Sequence, residues 1–250
     1  MAVRMKANIR MGTGIIITGM TMTIDGNAAL YRLMTWLSPS YPVGAFAYSQ
    51  GLEGGTAREK IKSAEEAREW IFDSLTHGPL WSDAVLLARA FEAAERGDWP
   101  ALGEINTFAR AFQPTAELRL ESFSQGAAFL SVTRDAWPCE ELEETDRETG
   151  GEIAYPLAVA SAAAGHGVSL EAALEAFLHA GVANLVFAAI RLVPLGQADG
   201  QRLVAGFEAD IRATAVKAMS TALGDLSTAS LVIEISSMLH ETQTTRLFRS

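Results

Sequence analysis

Cysteine is nearly absent from this 250-residue sequence, and an excess of positive charge is absent too. The single cysteine, Cys139, excludes a disulfide framework and any zinc site built from several thiolates. The 20 basic residues are outnumbered by 30 acidic ones, and the net charge of −10 argues against a general nucleic-acid binder, because phosphate neutralisation needs clustered Lys and Arg. A chain without disulfides fits a reducing compartment, so we expect a cytoplasmic protein.

Long hydrophobic runs are also missing. The longest strongly apolar stretch, residues 181–190, contains Asn184 and is shorter than the roughly 20 residues of a membrane-spanning helix. Residues 1–27 imitate a signal peptide, but their apolar core is too short and no small-residue cleavage pattern follows. We therefore expect no membrane segment, and we interpret residues 1–27 as a poorly ordered extension.

Helical periodicity is present from residue 28 onward. Ser63 and Glu66 form a capping-box pattern ahead of apolar residues at helical spacing. Asp98 precedes Pro100 at another helix start, and Ser169 precedes an apolar stretch that runs to about residue 192. These patterns predict three helices with defined starts.

A further apolar stripe at four-residue spacing predicts a helix near the end of the chain. Its residues are Leu203, Phe207, Ile211 and Ala215. Strand signals are weak, because residues 15–18 and 231–235 contain β-branched side chains without a hairpin turn and a partner run. The sequence predicts an all-α, single-domain bundle of about eight to ten helices over residues 28–250.

Residues 140–148 hold six acidic side chains and one base, Arg147. Such a charge run is typical of a solvated surface, and here it follows the Trp137-Pro138 pair. We interpret it as a solvated loop in preference to a metal or partner patch.

Motifs of enzymatic chemistry are scarce. There is no complete phosphate-binding glycine loop, and the four histidines have no metal-ligand spacing with a carboxylate. An enzyme is nevertheless the alternative: a hydrolase using Ser49, in a stretch like a nucleophile elbow that His240 could complete, or a metal-dependent enzyme using the histidines and the acidic run. The prolines before Ser49 argue against the hydrolase, because the elbow needs a central strand there.

The most distinctive segment is residues 36–53, where prolines, glycines and aromatic residues fall close together. Pro39 and Pro42 fix φ after the first helix and bias the preceding residues away from helix. Gly44 and Gly51 allow close backbone approach. The segment contains no group of side chains suited to proton transfer. Its rigid, aromatic-rich composition fits packing and recognition equally.

Three stretches together resemble the UreF family of urease accessory proteins. The family signature reads Ser-Pro, then Pro-x-Gly-x-Phe-x-x-Ser-x-Gly-Leu-Glu, and residues 38–53 match it closely. Residues 194–197 resemble its Pro-Leu-Gly-Gln turn, and residues 238–250 are similar to its closing His-Glu and Arg-Leu-Phe elements. The three stretches frame nearly all of residues 28–250 in the expected order.

The resemblance implies a non-catalytic helical scaffold that needs no cofactor. UreF proteins form dimers, bind the accessory protein UreD (UreH in some species), and through that pair recruit the GTPase UreG. The assembly acts as a chaperone that delivers nickel to apo-urease. The resemblance therefore implies these partners and a homodimer for this chain, with no nucleic-acid or membrane partner.

The resemblance also implies candidate site residues. The carboxyl-terminal tail is expected to be flexible alone and ordered on a partner, with Phe248 as its buried anchor, and the alternative is a tail folded back on its own core. The partner-binding candidates are His240, Glu241, Thr242, Gln243, Arg246, Leu247, Phe248 and Arg249.

Two further groups of candidates come from the other stretches. The first is expected to form an elbow near an interface, with Glu53 as a carboxylate along a nickel path. Its members are Ser38, Pro39, Tyr41, Pro42, Gly44, Phe46, Tyr48, Ser49, Gly51 and Glu53. The second is expected on a UreG-facing or dimer-facing surface, or in a helix break turned by its glycine. Its members are Arg191, Pro194, Gly196 and Gln197.

Overall fold

The computed structural model describes residues 26–58 and 60–250, and within these ranges the chain is all-α with no strand. The helices are α1 (Gly26–Trp36), α2 (Leu52–Ala57), α3 (Ala64–His77), α4 (Pro79–Glu95), α5 (Trp99–Phe112), α6 (Ala116–Ala136), α7 (Glu140–Thr149), α8 (Tyr155–Gly165), α9 (Leu170–Leu192), α10 (Gln197–Gly206), α11 (Glu208–Ser220) and α12 (Leu231–His240). Short 3-10 turns lie at Ala45–Ala47 and Leu223–Asp225. The predicted all-α single domain is confirmed. The expectation for residues 1–27 falls almost wholly outside the described residues.

The core is built around α4 and α8, which pack against each other and are buried along most of their lengths. α8 is rich in alanine, so the two helix axes can approach closely. α6 and α9 pack around this pair. The larger core side chains, including Trp36, Phe129 and Phe207, fill the space between the outer helices.

The three predicted helix starts are confirmed in detail. The side chains of Ser63, Asp98 and Ser169 each accept a hydrogen bond from a backbone N–H three residues further on. These bonds satisfy donors that have no partner inside the helix, which is why these residue types favour helix starts.

Two local expectations were wrong. The acidic run is not a loop but helix α7, because Leu142 and Thr145 are buried against the core and Arg134 of α6 pairs with Glu143 and Asp146. Glutamates in its first turn are also favourable beside the positive end of the helix dipole.

The late apolar stripe forms two helices rather than one. The chain leaves α10 at Gly206 and starts α11 after Phe207, whose ring is completely buried. Glycine weakens a helix interior, and a bend here lets α10 follow α9 while α11 packs on both α9 and α4.

Among the described residues, α9 is long and apolar enough to cross a membrane by length and composition. It contains an 18-residue window that is apolar enough for a span, so Asn184 interrupts the apolar stretch less than expected. Half of that window is buried inside the protein, where α9 packs against α3, α4 and α11. Core helices of soluble proteins pass the same test, so this is weak evidence for a membrane span.

Candidate functional site

The carboxyl-terminal tail, residues 241–250, is folded back onto the protein. After α12 ends at His240 the chain turns, and Phe248 and Ser250 are almost fully buried. This differs from the expectation of a free tail whose Phe248 waits for a partner. The structure instead has the alternative arrangement, because buried acidic side chains supply acceptors for the tail.

Glu53 of α2 holds the tail backbone. Its carboxylate accepts hydrogen bonds from the backbone N–H groups of Leu247 at 2.7 Å and Phe248 at 2.8 Å. The Nε2 atom of His240 lies 3.2 Å from the same carboxylate. Both oxygens are therefore engaged by the chain itself, which favours a structural role for Glu53 over a place on a nickel path.

His240 connects two acidic side chains. Its Nδ1 atom lies 2.7 Å from Glu117 of α6, on the opposite edge of the ring from Glu53, and the imidazole is completely buried. Each ring nitrogen therefore faces a carboxylate oxygen, which is an acceptor. Arg246 donates to the other oxygen of Glu117 at 2.7 Å, so this carboxylate also faces two donors.

The last residues contact α6 and the signature segment, residues 38–53. The Arg249 N–H donates to the carbonyl of Ala47 at 2.8 Å, and the Ser49 N–H donates to the carbonyl of Ser250 at 2.9 Å. The Ser250 hydroxyl donates to Glu121 at 2.6 Å. Burial raises the pKa of Glu121 to about 7, and hydrogen bonds from Ser250, Gln50 and Gln125 act in the opposite direction.

Phe248 occupies an apolar pocket. Its neighbours in this cluster include Leu52, Trp70 and Ile233, from three different helices. The guanidinium of Arg191 lies over the ring, 4.5 Å from its centroid, which is a cation–π contact. The three sequence stretches, which lie far apart in the chain, thus meet at the tail.

Helix α2 approaches α12 closely at its glycines. Gly51 has φ of +81°, and a Cβ on Gly54 would lie 2.4 Å from the carbonyl oxygen of Ser236. Only glycine fits the second position, and the positive φ favours glycine at the first. This close contact brings Glu53 next to His240.

The rest of the signature segment divides between packing and exposure. Tyr41 is buried, with its hydroxyl 2.8 Å from that of Thr133, and Tyr48 is buried as well. Ser38, Pro39 and Pro42 lie in the turns after α1, where the Ser38 and Ser40 hydroxyls are 2.9 Å apart. Gly44 has φ of +74° ahead of the 3-10 turn. Phe46, in that turn, is 65% exposed.

The Pro194–Gln197 segment is a helix break between α9 and α10. Pro194, Gly196 and Gln197 are exposed, and Gly196 stands at the start of α10 with φ of −78°. The break is as expected, but its glycine does not use a conformation that other residues avoid. Which partner this surface faces stays a prediction.

The remaining tail candidates make local contacts. Glu241 accepts from the N–H of Ala116 at 2.9 Å, at the start of α6. Thr242 and Gln243 bond within the turn, to the carbonyls of Leu239 and Thr245. The side chains of Leu247 and Arg249 point outward and are exposed.

Ser49 does not form the catalytic pair considered from the sequence. Its hydroxyl donates to the carbonyl of Ser250, while His240 is engaged by the two glutamates. The residues before Ser49 form a 3-10 turn rather than a strand. Within residues 26–58 and 60–250, no group of three or more His, Cys, Asp or Glu side chains is arranged to hold a metal ion.

Sequence reasoning missed Glu117 and Glu121. Both lie on α6 at four-residue spacing with Gln125, and both carboxyl groups are largely buried. A polar stripe at helical spacing that faces inward is a signal that could have identified them.

The outer face of α12 is apolar and exposed. Five side chains on it are between 40% and 67% exposed: Leu231, Val232, Ile235, Met238 and Leu239. A contiguous exposed apolar face of this kind marks an interaction surface more often than an isolated exposed leucine does.

The fold and site together define an all-α protein whose carboxyl-terminal tail is hydrogen-bonded to Glu53 and follows the exposed apolar helix α12. The UreF family model matches residues 61–208. The chain is 45% identical over 229 residues to "Urease accessory protein UreF" of Rhodopseudomonas palustris strain HaA2, covering 92% of this chain and 97% of that protein. It is 45% identical over 223 residues to the protein of the same name from Bradyrhizobium diazoefficiens, covering 89% and 92% of the two chains. The chain belongs to the UreF family.

Proposed function

We propose that this protein is a non-catalytic cytoplasmic scaffold for urease maturation. It binds UreD (UreH) and, with it, recruits UreG, so that the assembly delivers nickel to apo-urease. The observation that carries the proposal is the docked tail: a buried carboxylate holds the backbone of Leu247 and Phe248, and the side chains of Leu247 and Arg249 face solvent.

The fixed tail lowers the cost of binding. A segment that is already ordered loses little conformational entropy when a partner docks on it. Arg249 has no ion pair among the described residues, so its guanidinium is available for a carboxylate of the partner. The apolar face of α12 adds exposed apolar area, and protein interfaces combine an apolar centre with a charged edge.

The same reasoning assigns the docked tail, rather than a flexible one, as the conformation that UreD meets. His240, Glu241 and Arg246 then act by holding the tail, and Leu247 and Arg249 act by touching the partner. Phe248 is an anchor, but in this protein's own core.

A second exposed apolar group supports a homodimer. Leu30, Tyr31 and Met34 on α1 are between 57% and 68% exposed. A Met34→Asp variant is expected to convert the dimer into a monomer in light scattering, because burying a charge at an apolar interface is unfavourable. If the variant remains dimeric, the exposed face of α1 is not the dimer interface.

Co-expression with the cognate UreD and UreG tests the scaffold. We expect the double change Leu247→Ser and Arg249→Ala to abolish co-purification of UreD and urease activation, with an unchanged unfolding midpoint. The matched control is Arg96→Ala, an exposed arginine at the end of α4. Retained co-purification in the double variant would contradict the proposed surface.

A further inference from the structure

A cavity of about 390 Å³ lies between the signature segment, α4, α6 and α9. Much of its wall is apolar, with Leu80, Phe177 and Val186 among the lining side chains. At its rim, Phe46 and Phe187 are 65% and 60% exposed. A concave, mainly apolar space with a few polar groups is typical of a ligand site.

Two polar side chains of this cavity each have an oxygen without a hydrogen-bond partner among the described residues. Asp83 of α4 is only 9% exposed, and its carboxyl group makes no hydrogen bond within the described residues. The Oε1 atom of Gln50, which also lines the cavity, is buried and has no partner either. Both unpartnered oxygens can accept, and buried polar atoms without partners are rare, so the missing group is a hydrogen-bond donor.

The two carboxyl groups at this cavity favour a donor that carries a positive charge. A second buried carboxyl group, that of Glu121, lines the same cavity, and none of the described residues that line it is Lys or Arg. Burial and the nearby Glu121 raise the pKa of Asp83 to about 8. A cation entering the cavity would pair with these groups and relieve their desolvation.

We propose that this cavity binds an organic cation, an ammonium or guanidinium group that donates to Asp83 and Gln50 and carries an apolar body along the cavity wall. The chemistry is shared by a free small amine and by a Lys or Arg side chain of a partner protein. The apolar wall suits such a ligand better than a bare metal ion, which needs several polar ligands at once.

Thermal unfolding of the full chain with n-butylammonium tests the site. n-Butanol is the neutral probe of similar shape, and sodium chloride holds the ionic strength constant. We expect n-butylammonium to raise the unfolding midpoint and n-butanol to leave it unchanged. Asp83→Asn should abolish the shift, whereas Asp135→Asn, which changes an exposed carboxylate of α6, should keep it.

A second variant keeps the carboxyl group and removes the space. Ala183 lines the cavity from α9, and Ala183→Leu is expected to block the ligand's body and so abolish the shift while the protein stays folded. An equal shift from n-butanol, or a full shift in either cavity variant, would overturn the proposal.

The pH dependence gives an independent readout. Because the cation needs an ionised Asp83, its affinity should rise roughly tenfold per pH unit from pH 6 towards pH 8 and then level off. The titratable groups facing Asp83 are Glu121 from α6 and Tyr155 from α8, and His179 lies at the cavity wall on α9. Ionisation of Glu121 adds to the rise, while burial raises the pKa of Tyr155 and keeps it neutral. An affinity independent of pH in this range would contradict a carboxylate partner.

Co-expression with UreD and UreG distinguishes the two sources of the cation. If Asp83→Asn loses a partner, and n-butylammonium displaces that partner from the unaltered protein, the cation is a partner's side chain. If co-purification is unchanged while the isolated protein binds n-butylammonium, the cation is a free amine. The thermal unfolding assay with n-butylammonium uses the isolated protein. A negative result there would contradict the cation site and leave the scaffold proposal untouched.

Discussion

Glu53 and Asp83 are two acidic residues of similar burial and opposite surroundings. They are 7% and 9% exposed, respectively. Three donors converge on Glu53, and the described residues provide none for Asp83. Burial alone therefore does not define the role of a carboxyl group: the first holds a chain segment, and the second is ready for a ligand.

Removing the acceptor that these three donors share should have the largest effect on the docking of the tail. In Glu53→Ala, the N–H groups of Leu247 and Phe248 and the ring of His240 lose their acceptor, at a cost of about 3 kcal/mol. The tail should open locally, and hydrogen exchange at those two N–H groups should be roughly 100-fold faster. Glu104→Ala, at an exposed position of α5, is the control and should leave exchange unchanged. Unaltered protection in Glu53→Ala would show that other contacts hold the tail.

Replacing Asp83, which has no hydrogen-bond partner among the described residues, should have the opposite effect on stability. The folded protein keeps the proton of Asp83 up to about pH 8, whereas the unfolded chain loses it near the usual value of 3.8. Between these values the unfolded state binds fewer protons, so the free energy of unfolding falls as pH rises, by at most about 1.4 kcal/mol per pH unit. Asp83→Asn removes this contribution.

Urea unfolding at pH 5, 6, 7 and 8 measures the difference. The Asp83→Asn variant should be more stable than the unaltered protein at pH 8, and its advantage should shrink towards pH 5. Asp135→Asn should follow the unaltered protein throughout. Parallel curves for Asp83→Asn and the unaltered protein would mean that Asp83 has a partner after all.

A single side-chain hydrogen bond at the tail should contribute less than the three Glu53 contacts. Ser49→Ala removes the hydroxyl that donates to the carbonyl of Ser250, and we expect a loss of about 1 kcal/mol in urea unfolding. Ser131→Ala, an exposed serine of α6, is the control. The same variant tests the hydrolase alternative: if the protein cleaved an ester and Ser49→Ala abolished the cleavage, the scaffold proposal would fail.

The smallest effect is expected at the edge of the tail. Arg191→Ala removes the cation–π contact with Phe248, which is worth about 0.5 kcal/mol at an exposed position. Fluorine NMR of a fluorinated Phe248 would detect the altered surroundings of the ring. An unchanged resonance would indicate that the guanidinium does not stay over it.

Local features of the fold could be predicted from the sequence because they depend on neighbours in the chain. The Ser169 cap and the apolar run after it defined α9 correctly, including its end. The acidic run was misassigned because the stabilising contacts of α7 come from Arg134 of another helix and from the burial of Leu142, which is the only large apolar residue in the run.

The site was only partly predictable. Family resemblance identified the tail and the signature segment, but Glu53 and Phe248 are 195 residues apart, and no periodicity predicts such a pairing. Asp83 did leave a signal, as the acidic residue between Leu80 and the apolar residues that follow in a buried helix. A charged residue amid an apolar helix is worth treating as a candidate binding group.

Glu121 belongs to both regions, because it accepts the hydroxyl of Ser250 and lines the cavity. Thermodynamic reciprocity then applies: if a cation in the cavity changes the strength with which Glu121 holds Ser250, detachment of Ser250 must change the cation's affinity by the same factor. Through the carboxyl group of Glu121, binding in the cavity would thus be coupled to the docking of the carboxyl-terminal tail.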